Sequence, residues 1–177
     1  MKKILTGALL ATSILMAENF ANIKLTNDTV EVSGQYIVDP VHNIYARGSF
    51  LYNDDDNKEN FFSLGVKGEG NLIGVDVSNI KFSLILDFVH TKNNSAVPIG
   101  IGVNSYIPGF SIPVFVRGEA EYAPEILSFD EADRFSRVIV EAGVQPIENA
   151  EIFAGYRNIR FDSEYDSSFY IGAGYSF

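Results

Sequence analysis

Hydrophobic and polar residues alternate along most of this chain with a period of two. From Ile80 to His90, for example, Phe82, Leu84, Leu86 and Phe88 occupy every second position. A period of two places successive side chains on opposite faces of a β-strand. Nine runs of this kind, each of about ten residues, follow one another from residue 28 onwards. Because no helical repeat extends over a comparable length, the pattern predicts an all-β fold.

The first residues have a different pattern. Lys2 and Lys3 precede an apolar run from Ile4 to Ala17, and the polar residue Glu18 follows it. This layout is typical of a secretory signal peptide, and the run is shorter than the roughly 20 residues that a membrane-spanning helix needs. The sequence therefore predicts a cleaved signal peptide over residues 1–17 and a single domain over residues 18–177.

The two faces of the predicted strands differ in polarity. One face of each run is almost free of charge, whereas the other is polar and rich in glycine, as in barrels that have lipid outside and a lumen inside. Tyrosines that suit aromatic girdles at the two membrane interfaces lie near the ends of runs: Tyr36, Tyr45, Tyr52, Tyr106, Tyr122, Tyr156 and Tyr175. The sequence predicts an antiparallel up-and-down transmembrane β-barrel of the cell outer membrane. A soluble sandwich and a lipocalin-like barrel are the alternatives.

Strand number follows from the connections. Short periplasmic turns are predicted at residues 39–42, 71–79, 107–110 and 146–149, and outward loops at 53–60, 91–95, 123–134 and 161–167. Nine runs are an odd number, whereas bacterial single-chain barrels have an even number of strands. A tenth strand is therefore predicted within Phe20 to Thr26, where Ile23 and Leu25 alternate weakly. An eight-stranded barrel, with two runs merged or outside the wall, is the alternative.

Charged residues of the runs lie on the polar face. The predicted lumen network comprises Arg47, Lys67, Glu69, Asp87, Arg117, Glu119, Glu121, Arg137, Glu141 and Arg157, together with Glu31. A barrel of this size is just wide enough inside for side chains to fill it, and buried charges need partners. The sequence thus predicts a filled, salt-bridged lumen in which Arg157 pairs with Glu119, Glu121 or Glu141. A narrow porin-like channel for small solutes or ions is the alternative.

The excess negative charge is assigned to the loops. Without Lys2 and Lys3 the chain has 11 basic residues against 23 acidic ones, a net charge of −12, which disfavours nucleic acid as a partner. The acidic loop residues are Asp54, Asp55, Asp56, Glu59, Glu125, Asp130, Glu131, Asp133, Asp162, Glu164 and Asp166. They are interpreted as a solvated surface, with divalent cations that bridge lipopolysaccharide phosphates as the alternative. No cofactor is expected.

The last run combines aromatic and apolar residues. Phe169, Tyr175 and Phe177 lie on one face of it, an arrangement that resembles the signal read by the outer-membrane insertion machinery. The expected partners are therefore this machinery, outer-membrane lipid and lipopolysaccharide, and the protein is expected to be a monomer.

Enzymatic chemistry has little support in the sequence. There is no Gly-rich phosphate loop, no metal-ligand spacing and no Cys. His42 and His90 are the two candidate bases for a lipid-modifying enzyme, and neither has a recognisable nucleophile motif beside it, although Ser95 lies near His90. The sequence predicts a protein that is not an enzyme.

Three stretches together resemble the YfaZ family of predicted outer-membrane proteins. They are NDTVEVSG (Asn27 to Gly34), YAPEILSFDEADRF (Tyr122 to Phe135) and GYRNIRF (Gly155 to Phe161). Their order and spacing agree with the family, whereas residues 53–110 match only in strand pattern. The resemblance implies an outer-membrane barrel with no established activity, substrate or catalytic residues.

The middle stretch also has a physical interpretation. Its candidate residues are Tyr122, Pro124, Glu125, Ser128, Phe129, Asp130 and Asp133. Ser128 and Glu131 have the spacing of a helix-capping box, which predicts a short helical turn. Pro124 would fix the exit from the strand, and Leu127 or Phe129 would pack against the barrel rim. An ordered lid is the favoured interpretation, and a ligand or partner surface is the alternative.

Overall fold

The computed structural model describes residues 19–54, 59–71 and 79–177. The predicted signal peptide, Asp55, Asp56 and most of the predicted turn at 71–79 lie outside these ranges. The strands of the described residues are β1 (Phe20–Leu25), β2 (Thr29–Asp39), β3 (Ile44–Asn53), β4 (Phe61–Gly70), β5 (Ile80–His90), β6 (Asn94–Ala96), β7 (Ile99–Ile107), β8 (Val114–Ala123), β9 (Ser128–Asp130), β10 (Phe135–Ile147), β11 (Ala150–Phe161) and β12 (Ser163–Ser176).

Ten of these strands form a closed antiparallel barrel. Around the wall they follow one another as β1, β2, β3, β4, β5, β7, β8, β10, β11 and β12, and β12 pairs with β1 to close the ring. The predicted tenth strand is confirmed as β1, which pairs along its whole length with β2 on one side and β12 on the other. The eight-stranded alternative is therefore wrong.

The two shortest strands lie outside the wall. β6 pairs with the end of β5 and with β9, so both belong to the connections rather than to the barrel. A 3-10 turn at Glu125–Leu127 precedes β9. The predicted capping box is wrong, because Ser128 follows this turn instead of starting it, and its Oγ donates a hydrogen bond to the Pro124 carbonyl oxygen at 3.1 Å.

The connections distinguish two ends of the barrel. The end with the β2–β3, β7–β8 and β10–β11 connections, here called the turn end, has left-handed residues at Asn43, Gly109 and Asn149. Glycine and asparagine tolerate this backbone conformation, which favours tight reversals. The opposite end, called the loop end, contains the connections around 54–60 and 124–134. The loop predicted at 161–167 is wrong, because β11 and β12 continue to a tight turn at Asp162, whose φ is 56°.

Apolar side chains point outward and charged ones inward, as the alternation predicts. Leu84 and Ile171 are 71% and 66% exposed, whereas Asp87 and Arg137 are buried. Tyr45 and Tyr106 depart from the prediction, because Tyr45 is buried in the lumen and Tyr106 lines it, instead of lying in a girdle. Within the described residues, no helix has the length and apolar character needed to span a bilayer.

Candidate functional site

Apolar side chains close the lumen at the loop end. This group, called the loop-end seal, consists of Leu51, Phe61, Val89, Ala96, Ala123, Ala132, Phe135, Ile159 and Phe161. Leu51 and Phe135 are 0% exposed. The ring centroids of Phe135 and Phe161 are 4.8 Å apart, and Phe61 stacks on Phe135 at 6.2 Å. Contact at these distances leaves no space for hydrated solutes between the rings.

The loop-end seal is not among the features predicted from the sequence. Its signal was present, because Leu51, Val89 and Phe135 occupy inward positions in the same alternation as the lumen charges. Val89 lies two residues after Asp87, for example, and Phe135 lies two residues before Arg137. Because the lumens of membrane barrels are polar on average, alternation alone does not distinguish these inward apolar residues from the polar residues on the same face.

A central layer of ion pairs lies next to the seal. The Arg137 Nη2 atom donates to Glu121 Oε1 at 2.6 Å and also to Asp87 Oδ2. Arg47 Nη2 lies 2.9 Å from Glu119 Oε2. The guanidinium carbon of Arg137 is 5.7 Å from the ring centroid of Phe61, so the charge layer touches the seal directly. Such pairs tolerate burial because each charge has a partner.

Arg157 has partners other than those predicted from the sequence. Its Nε donates to Asp166 Oδ2 at 2.6 Å, its Nη1 to Glu31, and its Nη2 to Thr29 Oγ1 at 3.0 Å. The predicted pairing with Glu119, Glu121 or Glu141 is therefore wrong. Asp166 was assigned to a solvated loop, but it is only 4% exposed because β12 extends past it and turns its carboxylate inward.

A second set of pairs lies nearer the turn end. Lys24 Nζ is 3.1 Å from Glu141 Oε1, and Arg117 bonds both Glu141 and Glu151, the latter at 2.8 Å. Lys67 Nζ pairs with Glu69 Oε1 at 2.8 Å. All ten predicted network residues, and Glu31, thus lie in the lumen with ionic partners. Lys24, Glu151 and Asp166 were not predicted members of the network. Lys24 lies in the weakly alternating β1, so only its pairing with both neighbours reveals its role.

The turn half of the lumen contains a cavity of about 440 Å³. It extends from the central charge layer to the turn end, where Lys81, Tyr106 and Ser176 line it. Along β5 the inward residues become more exposed in this direction, from Val89 and Ile85, which are buried, to Lys81, which is exposed. Among the described residues, the cavity is therefore open at the turn end and closed at the loop end. Side chains pack the loop half of the lumen, whereas the turn half holds this cavity, so the lumen is not filled throughout as the sequence predicts.

The two histidines lie in separate places. His42 Nδ1 is 2.7 Å from Asp39 Oδ2 in the exposed turn between β2 and β3, and this hydrogen bond lowers the pKa of the Asp39 carboxyl. His90 Nδ1 is 2.9 Å from Ser95 Oγ, which donates to Asp130 Oδ2 at 2.7 Å. In a Ser-His-Asp triad the carboxylate bonds the histidine, whereas here it bonds the serine. These contacts connect β5, β6 and β9.

The middle sequence motif covers the loop end. Leu127 packs against the loop-end seal, and Ala132 belongs to it. The backbone N–H of Val97 donates to the Leu127 carbonyl at 2.8 Å, and that of Asp133 donates to Asp162 Oδ2 at 2.9 Å. Tyr122, Glu125 and Phe129 are exposed and do not converge on the lumen. This arrangement is that of an ordered lid. Among the described residues, no group of three or more His, Cys, Asp or Glu has metal-binding geometry.

The aromatic residues of the last strand lie on the outer surface. Phe169 is 80% exposed, and Tyr175 and Phe177 also face outward. The backbone of Phe177 exchanges two hydrogen bonds of 2.9 Å with Asn19, which extends the β1–β12 pairing by one residue.

Comparisons with known proteins concern the fold. No family model matches the chain, and no curated protein matches it. A structure of the KdgM porin in complex with disordered oligogalacturonate has a TM-score of 0.47 and 10% identity, with 91% of this chain and 99% of that one covered. The translocator domain of the autotransporter NalP from Neisseria meningitidis has a TM-score of 0.40 and 11% identity, with coverages of 99% and 94%. These structures are similar to this chain in being small antiparallel barrels.

Proposed function

We propose that this protein is an integral outer-membrane barrel with a lumen closed at its loop end, serving envelope structure or surface interaction rather than solute passage. The outward surface supports the membrane location. It is apolar over the whole wall, with Leu64, Leu84, Ile101, Val140 and Ile152 all exposed. A closed ring satisfies the backbone hydrogen bonds of every wall strand, which a bilayer requires. The turn end would face the periplasm and the loop end the outside.

The loop-end seal is the observation that carries the proposal. An ion or small solute crossing the barrel would have to pass between Leu51, Phe61 and Phe135, which are fully buried. Stripping water from a charged or polar solute in an apolar constriction costs several kcal/mol or more. The Arg137 layer beneath the seal adds fixed charges that are paired with each other. A barrel with this interior blocks the passage of solutes from one end to the other.

The assembly signal and the surroundings are further parts of this proposal. Phe169, Tyr175 and Phe177 present aromatic groups on the last strand, as a recognition signal for the insertion machinery would require. A Phe177→Ala variant should reduce the membrane-inserted fraction in pulse-chase experiments, whereas Phe129→Ala, an exposed loop position, should not. Equal insertion of both variants would remove Phe177 from the signal.

Outer-membrane lipid and lipopolysaccharide would surround the wall. Membership of the YfaZ family also stays a proposal.

Fractionation combined with solute exclusion tests the function. The protein should sediment with outer membranes and show a faster electrophoretic band unheated than boiled, because closed barrels resist detergent until heated. Proteoliposomes that contain it should not swell in isotonic solutions of small sugars. A soluble periplasmic protein without a heat shift would contradict the membrane location, and rapid swelling would contradict the sealed lumen.

A narrow porin-like channel is the second candidate. The observation in its favour is the turn-half cavity, which already extends over part of the path across the barrel. Passage would also require displacement of the loop-end seal and of the lid that packs on it. Single-channel conductance distinguishes the two candidates.

A further inference from the structure

The turn-half cavity has the size and form of a ligand site. Its volume of about 440 Å³ lies within the range of roughly 300–1,000 Å³ that is typical of small-molecule pockets. It is a dead end, because the central charge layer and the loop-end seal close its inner side. Its open end admits solutes from one direction only.

Most charges around the cavity are committed to each other, and Lys81 lies exposed at its open end. Lys67 pairs with Glu69, Arg47 with Glu119, and Arg117 with Glu141 and Glu151. An anionic or cationic ligand would have to break one of these pairs and leave the other partner uncompensated, which is costly in a partly buried site. Inward of Lys81, the cavity therefore disfavours charged ligands of either sign.

Apart from Arg117 Nη2, the remaining hydrogen-bonding capacity inside the cavity is neutral. Hydroxyl and amide side chains line the cavity on several strands, among them Asn22, Gln35, Ser49, Ser83, Asn104 and Ser176. Such groups both donate and accept hydrogen bonds, as the hydroxyl groups of a polyol also do. This chemistry matches an uncharged ligand with many hydroxyl groups.

Two buried polar atoms at the cavity wall have no hydrogen-bond partner among the described residues. They are Asn104 Oδ1, an acceptor, and Arg117 Nη2, a donor. Asn104 and Arg117 are directly opposite each other in the β7–β8 pairing, so the two atoms belong to one spot of the wall. A buried polar atom without a partner costs about 1–3 kcal/mol, which a ligand hydroxyl group in this position would offset.

Aromatic rings complete the lining. Phe20 and Tyr106 lie near the open end, and Tyr45 lies deeper beside Lys67. Flat apolar rings beside hydroxyl and amide groups suit a molecule with one apolar C–H face and polar edges, as a pyranose ring has. We propose that the turn-half cavity binds a small uncharged polyhydroxylated solute of mono- to disaccharide size, which enters from the turn end. This inference needs only the cavity and does not depend on the sealed lumen being impermeable.

Isothermal titration calorimetry on the purified full chain tests the proposal. The detergent should be lauryldimethylamine oxide, because maltoside and glucoside headgroups would compete for the cavity. The probes are glucose, sucrose, sodium glucuronate and choline chloride at equal ionic strength. Glucose or sucrose should bind with a Kd between about 0.1 and 10 mM, and the two charged probes at least tenfold more weakly. No heat from either sugar, or tighter binding of glucuronate or choline, would overturn the proposal.

Two variants locate the binding. Asn104→Leu removes the unpartnered acceptor and should weaken sugar binding at least tenfold, whereas Ser105→Leu, the outward-facing next residue on β7, should bind as the wild type does. Ser83→Phe fills the cavity and should abolish binding. Heat-modifiable electrophoretic mobility checks that each variant forms the barrel. If Asn104→Leu does not fold, Ser83→Phe still tests whether the sugar binds in the cavity. Wild-type affinity in a folded Asn104→Leu or Ser83→Phe variant would place the sugar elsewhere and overturn the assignment.

Discussion

In the loop half of the lumen, apolar side chains form one tightly packed cluster, whereas in the turn half polar and charged side chains surround a cavity beside a smaller apolar cluster of Phe115, Ile139, Phe153 and Tyr170. Both halves are lined by the same strands in the same alternation. Phe61 and Lys67 both point inward from β4, as Val89 and Ser83 do from β5. The difference shows that the face of a residue does not determine its role in this barrel. The level along the barrel axis decides whether an inward residue seals the lumen, pairs in the charge layer or lines the cavity.

Removal of a buried cation should have the largest effect. Arg137→Met leaves Asp87 and Glu121 with only their longer contacts to Arg47, at 3.6 and 3.7 Å, and removing one partner of a buried ion pair costs about 3–5 kcal/mol. Urea unfolding in lipid vesicles would measure the change in the free energy of unfolding. Arg134→Met is the matched control, because its side chain is exposed and lies 3.8 Å from Asp162. Equal decreases in the free energy of unfolding of both variants would mean that the central charge layer does not stabilise the barrel more than an exposed pair does.

The second largest effect is expected from the truncation of a side chain in the loop-end seal. Phe61→Ala removes a fully buried ring and should destabilise the barrel by about 3 kcal/mol, because large-to-small changes lose burial and leave a cavity. Phe62→Ala, the neighbouring residue on the outer face, should cost less than half of this. The same unfolding measurement compares them, and a reversed order would mean that the loop half is not a packed core.

Ion pairs in the turn half should contribute less to the free energy of unfolding than those of the central charge layer. Glu69→Gln breaks the pair with Lys67 at the cavity, where the two side chains are 10% and 14% exposed, so the cost should be about 1–3 kcal/mol, less than for a fully buried charge. Glu121→Gln alters the buried charge layer and should cost clearly more. If the two variants unfold at the same urea concentration, the two halves do not differ in the way described here.

The smallest effect concerns the β2–β3 turn. Hydrogen bonds from His42 and from the Val41 and His42 backbone N–H groups hold the pKa of Asp39 below its usual value. A carboxyl with a lowered folded-state pKa stabilises the fold above its unfolded pKa, and this stability is lost as the pH falls through the folded value. Stability should therefore decrease below about pH 4. Asp39→Asn should lose this part of the pH dependence in unfolding experiments between pH 2 and pH 6, and an unchanged pH profile would contradict it.

Strand positions and their faces were predictable because both depend on local alternation. Inward Arg47 and Arg137 and outward Leu84 and Ile101 follow directly from a period of two. The tenth strand, β1, followed from parity even though its own alternation is weak. These predictions needed no knowledge of which strand residue stands opposite which.

Charge partners and the closure of the lumen were not predictable in this way. Arg157 meets Glu31 and Thr29, which are 126 and 128 residues away in sequence, because the stagger of the closed ring brings β2 near β11 across the lumen. Local patterns contain no information on that stagger. The extension of β11 and β12 to Asp162 was not predictable for a related reason. Acidic residues in this region suggest an exposed loop, and only the contact between Arg157 and Asp166 shows that Asp166 lies inside the barrel.

Single-channel recording in a planar lipid bilayer tests the central claim most directly. The wild-type barrel should insert without stable open steps, whereas a Phe61→Ala, Phe135→Ala double variant, which removes two stacked rings of the seal, should show them. Stable unitary currents from the wild-type protein, of a size similar to those of the double variant, would contradict the sealed lumen and favour the porin-like channel.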